Sequence, residues 1–332
     1  MSTVNRYIVL SAMAVIVLGL SLWSLMIGPA GLTATEVLAA ALGMGDPAHV
    51  LIVQELRLPR VALGLFAGAS LGLSGAALQG LLRNPLADPG VIGVSSSAGL
   101  GAVIAIYFGL AQVFPLSVQL MAMAGALVAT LILFYLSLRD SSILTLILAG
   151  VGISALAGAA LSLVMNFAPT PMNLQDMVMW MLGSLDNRTS ADLAFSAPFM
   201  LLGALCLLGV GQGLNATTLG EETAQSLGIN LRRLRLQVVI GSAFAVGATV
   251  AACGAIGFVG LVVPHVMRGL VGAAPGRLLW PSALGGAILL TVADLLTRIP
   301  VGQAQLRLGV VTAFIGAPLF LYIIYRTRET MR

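Results

Sequence analysis

The chain has 332 residues, 59% of them hydrophobic and only 8% charged, with a net charge of +4, whereas a soluble domain of ordinary composition carries about 25% charged residues. It belongs in lipid, and its basic residues are too sparse and scattered to follow a phosphate backbone, which excludes nucleic acid as a partner. All 16 basic residues are arginine, so the lysine of a Walker A phosphate loop has no candidate and the chain cannot itself be an ATPase.

Apolar runs long enough to cross a bilayer core, about 20 residues as a helix, recur along the whole length. The first predicted helix covers 6–27. It is long and lacks a small-x-small cleavage site, so it is read as a retained helix rather than a secretory signal. The second, 58–82, carries Gly64, Gly68, Gly72 and Gly75, small residues that permit close backbone approach. Asn84 and Asp88 then flank Pro85 and Pro89, where side-chain capping of freed backbone groups is expected.

Val91 to Leu138 is 48 uncharged residues, roughly 72 Å as helix against a hydrocarbon core of about 30 Å. It must fold back, and Phe114-Pro115 is the natural break, giving helices over 91–110 and 115–138. A fifth helix over 142–167 holds Gly150, Gly152 and Gly158, and a sixth covers 192–211. From the end of the fifth helix onward Met165, Met172, Met177, Met179 and Trp180 cluster around the expected periplasmic mouth, with core packing the preferred reading and a soft apolar lining the alternative.

The longest polar stretch between crossings runs from Asn215 to Arg235. Thr218 and Glu221 have capping-box spacing for a short helix that Gly228 ends, with a second small helix from Asn230. Such a stub would place Leu219, Ala224 and Leu227 where a soluble partner could grip them. The remaining predicted helices are 234–254, 258–271, 278–297 and 307–326, the first two separated near Gly254 to Gly260. Cys206 and Cys253 are lone thiols in apolar runs, and His49 with His265 form no credible metal ligand set.

The fold class is therefore all-α, a polytopic membrane protein of about ten transmembrane helices, in one domain over 1–332. An even number of crossings puts both termini on one side. With that side fall 11 arginines, and with the other fall Arg57, Arg60, Arg188, Arg298 and Arg307, so the inside-positive bias makes the termini cytoplasmic. Arg57, Arg60 and Arg298 work against that bias. Asp294 and Arg298 are four apart on a predicted helix and can pair on one face.

Two other classes were weighed. An intramembrane serine protease would use Gly72-Leu-Ser74-Gly75 with His265, but Ser74 lies on a glycine-rich helical face. An ion-coupled secondary transporter would place acidic residues at mid-membrane, where none is clearly found.

From Arg57-Leu-Pro-Arg60 the motifs become specific. Gly68-Ala-Ser-Leu-Gly-Leu-Ser-Gly75, Gln79-Gly80, Arg83-Asn-Pro-Leu-Ala-Asp-Pro89 and Gly93-Val-Ser-Ser-Ser-Ala-Gly99 follow in order. Then come Trp180-Met-Leu-Gly-Ser184, Leu219-Gly-Glu221, Gly254 to Arg268 with Pro264-His265, Ala293-Asp294, and Leu308 to Pro318. Together they resemble the FecCD permease family of type II ABC importers for ferric siderophores, haem and cobalamin, over nearly the whole chain.

The resemblance implies a permease of the bacterial inner membrane, not an enzyme, working as a homodimer with a path along the dimer axis. It implies two cytoplasmic ATPase subunits, which hold the ATP and Mg, and a periplasmic binding protein that delivers the metal chelate. No cofactor is expected on this chain. Ferric siderophore is the first choice of cargo, haem second and cobalamin third. The resemblance assigns binding-protein docking to Arg57, Arg60 and Arg298, through acidic residues of the partner. It assigns ATPase coupling, within 215–235, to Leu219, Gly220, Glu221, Ala224, Leu227 and Gly228. It places a cytoplasmic gate at Ser141, Ser142, Ile143 and Leu144, and it leaves Arg188, Met165 and Trp180 as residues of the mouth or path.

Overall fold

The computed structural model describes residues 3–139, 143–299 and 305–330, and every regular element among them is helical. In chain order these are α1 (Thr3–Met26), α2 (Ala34–Ala41), α3 (Pro47–Leu51), a π-helical stretch (Ile52–Arg57) and α4 (Leu58–Leu81). A 3₁₀ turn (Pro89–Ile92) leads to α5 (Val94–Tyr107), α6 (Leu110–Val113), α7 (Ser117–Arg139), α8 (Ile143–Asn166) and α9 (Pro171–Met181). Then follow α10 (Ser190–Leu208), α11 (Gly211–Thr217), α12 (Glu221–Ser226), α13 (Leu231–Cys253), α14 (Val259–Val271), α15 (Pro275–Thr297) and α16 (Leu308–Thr330).

Among the described residues, seven helical spans are long and apolar enough to cross a membrane. Three shorter apolar helices, α5, α14 and the apolar part of α16, fill the other predicted ranges. Both proposed breaks are present. The chain is extended at Phe114, ahead of Pro115 and α7, and it leaves the helical region after Cys253, where Gly254 has φ +76°. A side chain on Gly254 would press against the Trp180 carbonyl, 2.3 Å from the built Cβ position.

Several short helices escaped the hydropathy pattern, α2 and α9 the longest of them. Thr33 and Glu36 form a capping box at the head of α2, the Thr33 amide donating to the Glu36 carboxylate at 2.8 Å. The hydrogen bonds from Thr33 hold that carboxyl below its ordinary pKa. Thr33-Ala-Thr-Glu36 carries the box in sequence, but eight residues are too few to register as a crossing. Helix α9 gathers the methionine cluster: Met177 is fully buried, Met172 is exposed and Trp180 packs against the core.

Helix α4 is the central element, packed against α15, α13, α10 and α14. The spans containing α4 and α13 are each 78% buried over their apolar windows, whereas the α8 span is 11% buried and the α1 span 17%. What lets α15 and α14 reach α4 is the absence of side chains. A Cβ on Gly72 would lie 2.0 Å from the Ser282 carbonyl oxygen, one on Gly286 2.0 Å from that of Gly68, and one on Gly75 1.9 Å from that of Gly260. This is the close approach expected of small residues in a membrane bundle. Gly152 and Gly158 do not serve the same end within the chain, since nothing lies within 4 Å of a Cβ built on either.

Proline inside a helix frees the carbonyl four residues earlier, and hydrocarbon has no water to satisfy it. At Pro264 the freed carbonyl is Gly260. The buried Gln79 Nε2 donates to Gly260 O at 3.3 Å, to Leu261 O at 3.2 Å and to Ala87 O at 3.2 Å, while its Oε1 accepts from Arg268 at 2.6 Å. Asp88 Oδ1 accepts from the Gly90 amide and Asn84 Oδ1 from the Leu86 amide, the capping roles expected of them.

Gly72→Ala should therefore force α4 and α15 apart and cost about 1–3 kcal/mol, the usual range for overpacking. Gly19→Ala, with open space around it, should leave stability unchanged or slightly raised. Thermal unfolding of the two variants in detergent separates these outcomes.

Candidate functional site

At one end of the bundle the C-terminus of α1, the start of α4 and the end of α15 meet. Helix α1 has no basic residue in its last turn, so its final carbonyls need donors from elsewhere. Two arginines supply them. Arg57 Nη1 donates to Leu25 O at 3.0 Å and Met26 O at 3.1 Å. Arg298 Nη1 donates to Ser24 O at 2.6 Å and Ile27 O at 2.7 Å. Gly28 makes room: a Cβ there would sit 2.7 Å from the Arg57 guanidinium.

The same guanidiniums enclose a carboxylate. Asp294, its side chain 4% exposed, accepts from Arg60 Nη2 at 2.9 Å and Arg298 Nη2 at 2.6 Å. Arg60 Nη1 also pairs with Asp186 at 2.6 Å. Beside them Ser190 donates to Glu55. Three guanidiniums against the two carboxylates in direct contact leave this cluster with net positive charge.

Arg57 is buried, with one Nη2 lacking a hydrogen-bond partner, whereas Arg60 keeps a fifth of its side chain accessible. The i,i+4 pairing of Asp294 with Arg298 is present. Sequence reading missed the third member of the network, Asp186, and missed that Asp294 also holds Arg60 across 234 positions. Arg188 is half-buried on the adjoining loop, its Nε lacking a partner.

At the other end of α4, where Gly80 meets Leu214 of α11, lies the 215–235 segment. Thr218 is not the cap: its hydroxyl donates back to Asn215 O at 2.7 Å, closing α11. Gly220, at φ +106°, heads α12. Glu221 is gripped by Arg235 of α13 at 2.8 Å through both carboxylate oxygens. Ala224 is fully buried, while Leu219 and Leu227 are 65% and 62% exposed. Gly228, at φ +84°, ends the helix with its amide donating to Gln225 O.

The second small helix expected from Asn230 is instead the first turn of α13. Asn230 Oδ1 accepts from the Arg233 amide at 2.9 Å, and the helix continues unbroken to Cys253 because no proline interrupts it. The stub is thus a short exposed helix clipped to a long buried one by an ion pair 14 residues apart.

Of the four gate positions, Ser141 and Ser142 lie outside the described residues. Ile143 opens α8 and Leu144 is 65% exposed. Met165 and Trp180 are half-buried near the α8 and α9 ends. An open cleft of about 520 Å³ beside them is lined by Met181, Leu182, Ala255, Val310, Phe314 and Pro318. Ser74 Oγ and His265 Nδ1 each lack a hydrogen-bond partner, so they do not form a dyad. Among the described residues no group of His, Cys, Asp or Glu is placed to hold a metal.

Residues 15–326 match the FecCD transport family, and the chain belongs to that family. It is 41% identical over 281 residues to the hemin transport system permease HmuU of Yersinia pestis, covering 83% of each chain. It is 40% identical over 281 residues to the vitamin B12 import system permease BtuC of Salmonella typhi, covering 83% of this chain and 84% of that one. It is also 41% identical over 291 residues to the ABC transporter permease YvrB of Bacillus subtilis, covering 86% and 82%. A solved structure in an inward-facing conformation, assigned to the metal-chelate type of ABC transporter, superposes with a TM-score of 0.84 at 33% identity, over 96% of this chain and 98% of that one. The chain is accordingly a multi-pass ABC permease, a transport subunit rather than an enzyme.

Removing one partner of a buried ion pair costs about 3–5 kcal/mol, because the remaining charge is left uncompensated. Asp294→Ala leaves Arg298 without a carboxylate and Arg60 with only Asp186, and should destabilise the fold by about 3 kcal/mol, the low end of that range. Asp294→Asn, which keeps an acceptor, should cost less. Comparing the detergent melting points of the two variants checks the order.

Proposed function

We propose that this chain is the membrane subunit of an ATP-driven importer that takes a metal chelate from a periplasmic binding protein to the cytoplasm. The observation that carries the proposal is the pairing of two features at opposite ends of α4. One is a net-positive cluster around Arg60 and Arg298, and the other is an exposed helical stub, α12, tied to α13 by Glu221 and Arg235. The names of the hemin and vitamin B12 relatives support a large metal chelate as cargo. Ferric siderophore, haem and cobalamin are the three candidates.

In this reading the termini are cytoplasmic and two copies of the chain face each other. The sparsely buried α8 and the cleft beside α16, with Phe314 82% exposed, supply apolar surface for the partner copy and for the path. Acidic residues of the binding protein meet Arg60 and Arg298, competing with Asp186 for the Arg60 guanidinium. Arg57, spent on the α1 carbonyls, positions that surface. ATPase subunits hold the ATP and Mg and grip Leu219 and Leu227. A push on α12 passes through the Glu221–Arg235 pair and the Ala224 contact into α13 as a rigid-body movement.

The test is ATP-dependent uptake into proteoliposomes containing this chain and its ATPase, with the binding protein loaded in turn with ferric siderophore, haem or cobalamin. Uptake of one chelate that requires both partners supports the reading. No uptake of any of them by an ATP-hydrolysing complex overturns the cargo class.

Docking is expected to weaken at least about tenfold in Arg60→Gln, given the cost of truncating a paired interfacial charge. Asp186→Asn, which frees Arg60 Nη1, should strengthen it. Binding-protein titration by surface plasmon resonance reads both, and unchanged affinity in both variants removes Arg60 from the interface.

A further inference from the structure

A separate site lies where the C-terminal end of α10 meets the first turns of α13. An open cleft of about 470 Å³ is lined by Cys206, Asn230, Arg232, Arg233, Leu236 and Gln237. Its wall is mostly apolar, and its rim is basic. Arg232 and Arg233 are exposed, and among the described residues neither has a carboxylate within ion-pair distance. Glu221, a nearby acid, is already taken by Arg235.

Two unpaired arginines in the first turn of a helix face the positive end of its dipole, an arrangement an anion would relieve. The apolar wall continues along α10. Leu202 lies four residues before Cys206 on the same helical face, and Leu201, Leu202 and Leu205 are 48%, 46% and 70% exposed. The α10 span is only 28% buried, so this stripe is left open on the surface of the bundle. Gln237 Nε2 donates to Cys206 O at 3.0 Å, bridging the two helices at the floor of the cleft. A basic rim that opens onto an exposed apolar stripe has the chemistry of one ligand class.

We propose that this cleft binds an anionic phospholipid, its phosphodiester against Arg232 and Arg233 and one acyl chain along Leu202 and Leu205. Basic pockets between membrane helices at the headgroup level recognise such lipids. Because Arg233 is three residues from Asn230, the cap that starts α13 right after the α12 stub, an occupied site would brace the root of the segment that carries Leu227.

The test is lipid titration of the delipidated full-length chain by native mass spectrometry, with phosphatidylglycerol, phosphatidylcholine and glycerol 3-phosphate as probes. The wild-type chain should prefer phosphatidylglycerol to phosphatidylcholine and hold it in the presence of excess glycerol 3-phosphate. Arg232→Gln with Arg233→Gln should weaken phosphatidylglycerol binding about 30-fold, the equivalent of about 2 kcal/mol. Arg232→Lys with Arg233→Lys should retain most of it.

Leu202→Asn should weaken long-chain phosphatidylglycerol more than a six-carbon-chain analogue, a difference that a merely misfolded variant would not show. Equal affinity for the two phospholipids, or full displacement by glycerol 3-phosphate, overturns a lipid site. So does an arginine-to-glutamine variant that keeps its lipid but loses the ATPase subunit, an outcome that would assign these arginines to a protein partner instead.

Discussion

Hydrocarbon offers no hydrogen bonds, so every backbone donor and acceptor inside this bundle must find a partner within the chain. That constraint governs the placement of several of its rare polar side chains. Gln79, sealed between α4 and α14, serves the carbonyl that Pro264 leaves open. Arg57 and Arg298 serve the four carbonyls that end α1. Asp294 then pairs with Arg298 and with the neighbouring Arg60. A polar residue in such a chain is first a solution to backbone accounting, and function is built on what remains exposed.

The glycine contacts answer a second requirement. With apolar side chains on every face, nothing hydrophobic draws one membrane helix to another, and close packing has to supply the attraction. Gly68, Gly72 and Gly75 bring α4 within backbone contact of α15 and α14. The result is a rigid centre, α4 with α13 and α15, and a periphery, α1 and α8, whose surfaces are left for lipid or for another subunit.

The central helix α4 ends in two distinct surfaces. One surface is charged and partly satisfied from within, Arg60 dividing itself between Asp294 and Asp186. The other is a six-residue helix held by one ion pair and one buried alanine. Arg57 and Arg298 thus have a structural reason of their own, as donors to the carbonyls that end α1.

The sequence by itself determined the all-helical membrane class, the breaks at Phe114-Pro115 and near Gly254, and the family. Hydropathy, proline geometry and long ordered motifs are local signals. The Asp294–Arg298 pair was legible for the same reason, since four residues is one helical turn.

Helices α2 and α9 were passed over because amphipathic segments of eight and eleven residues do not stand out in a chain that is apolar nearly everywhere. Only the tertiary structure decided that Asn230 begins a long helix and not a short one, that Glu221 belongs to Arg235, and that Asp186 and Asp294 share Arg60. Those facts depend on where separate helices end in space. Spacing along the chain carries no record of that, because the partners are brought together by packing across positions as far apart as Arg60 and Asp294.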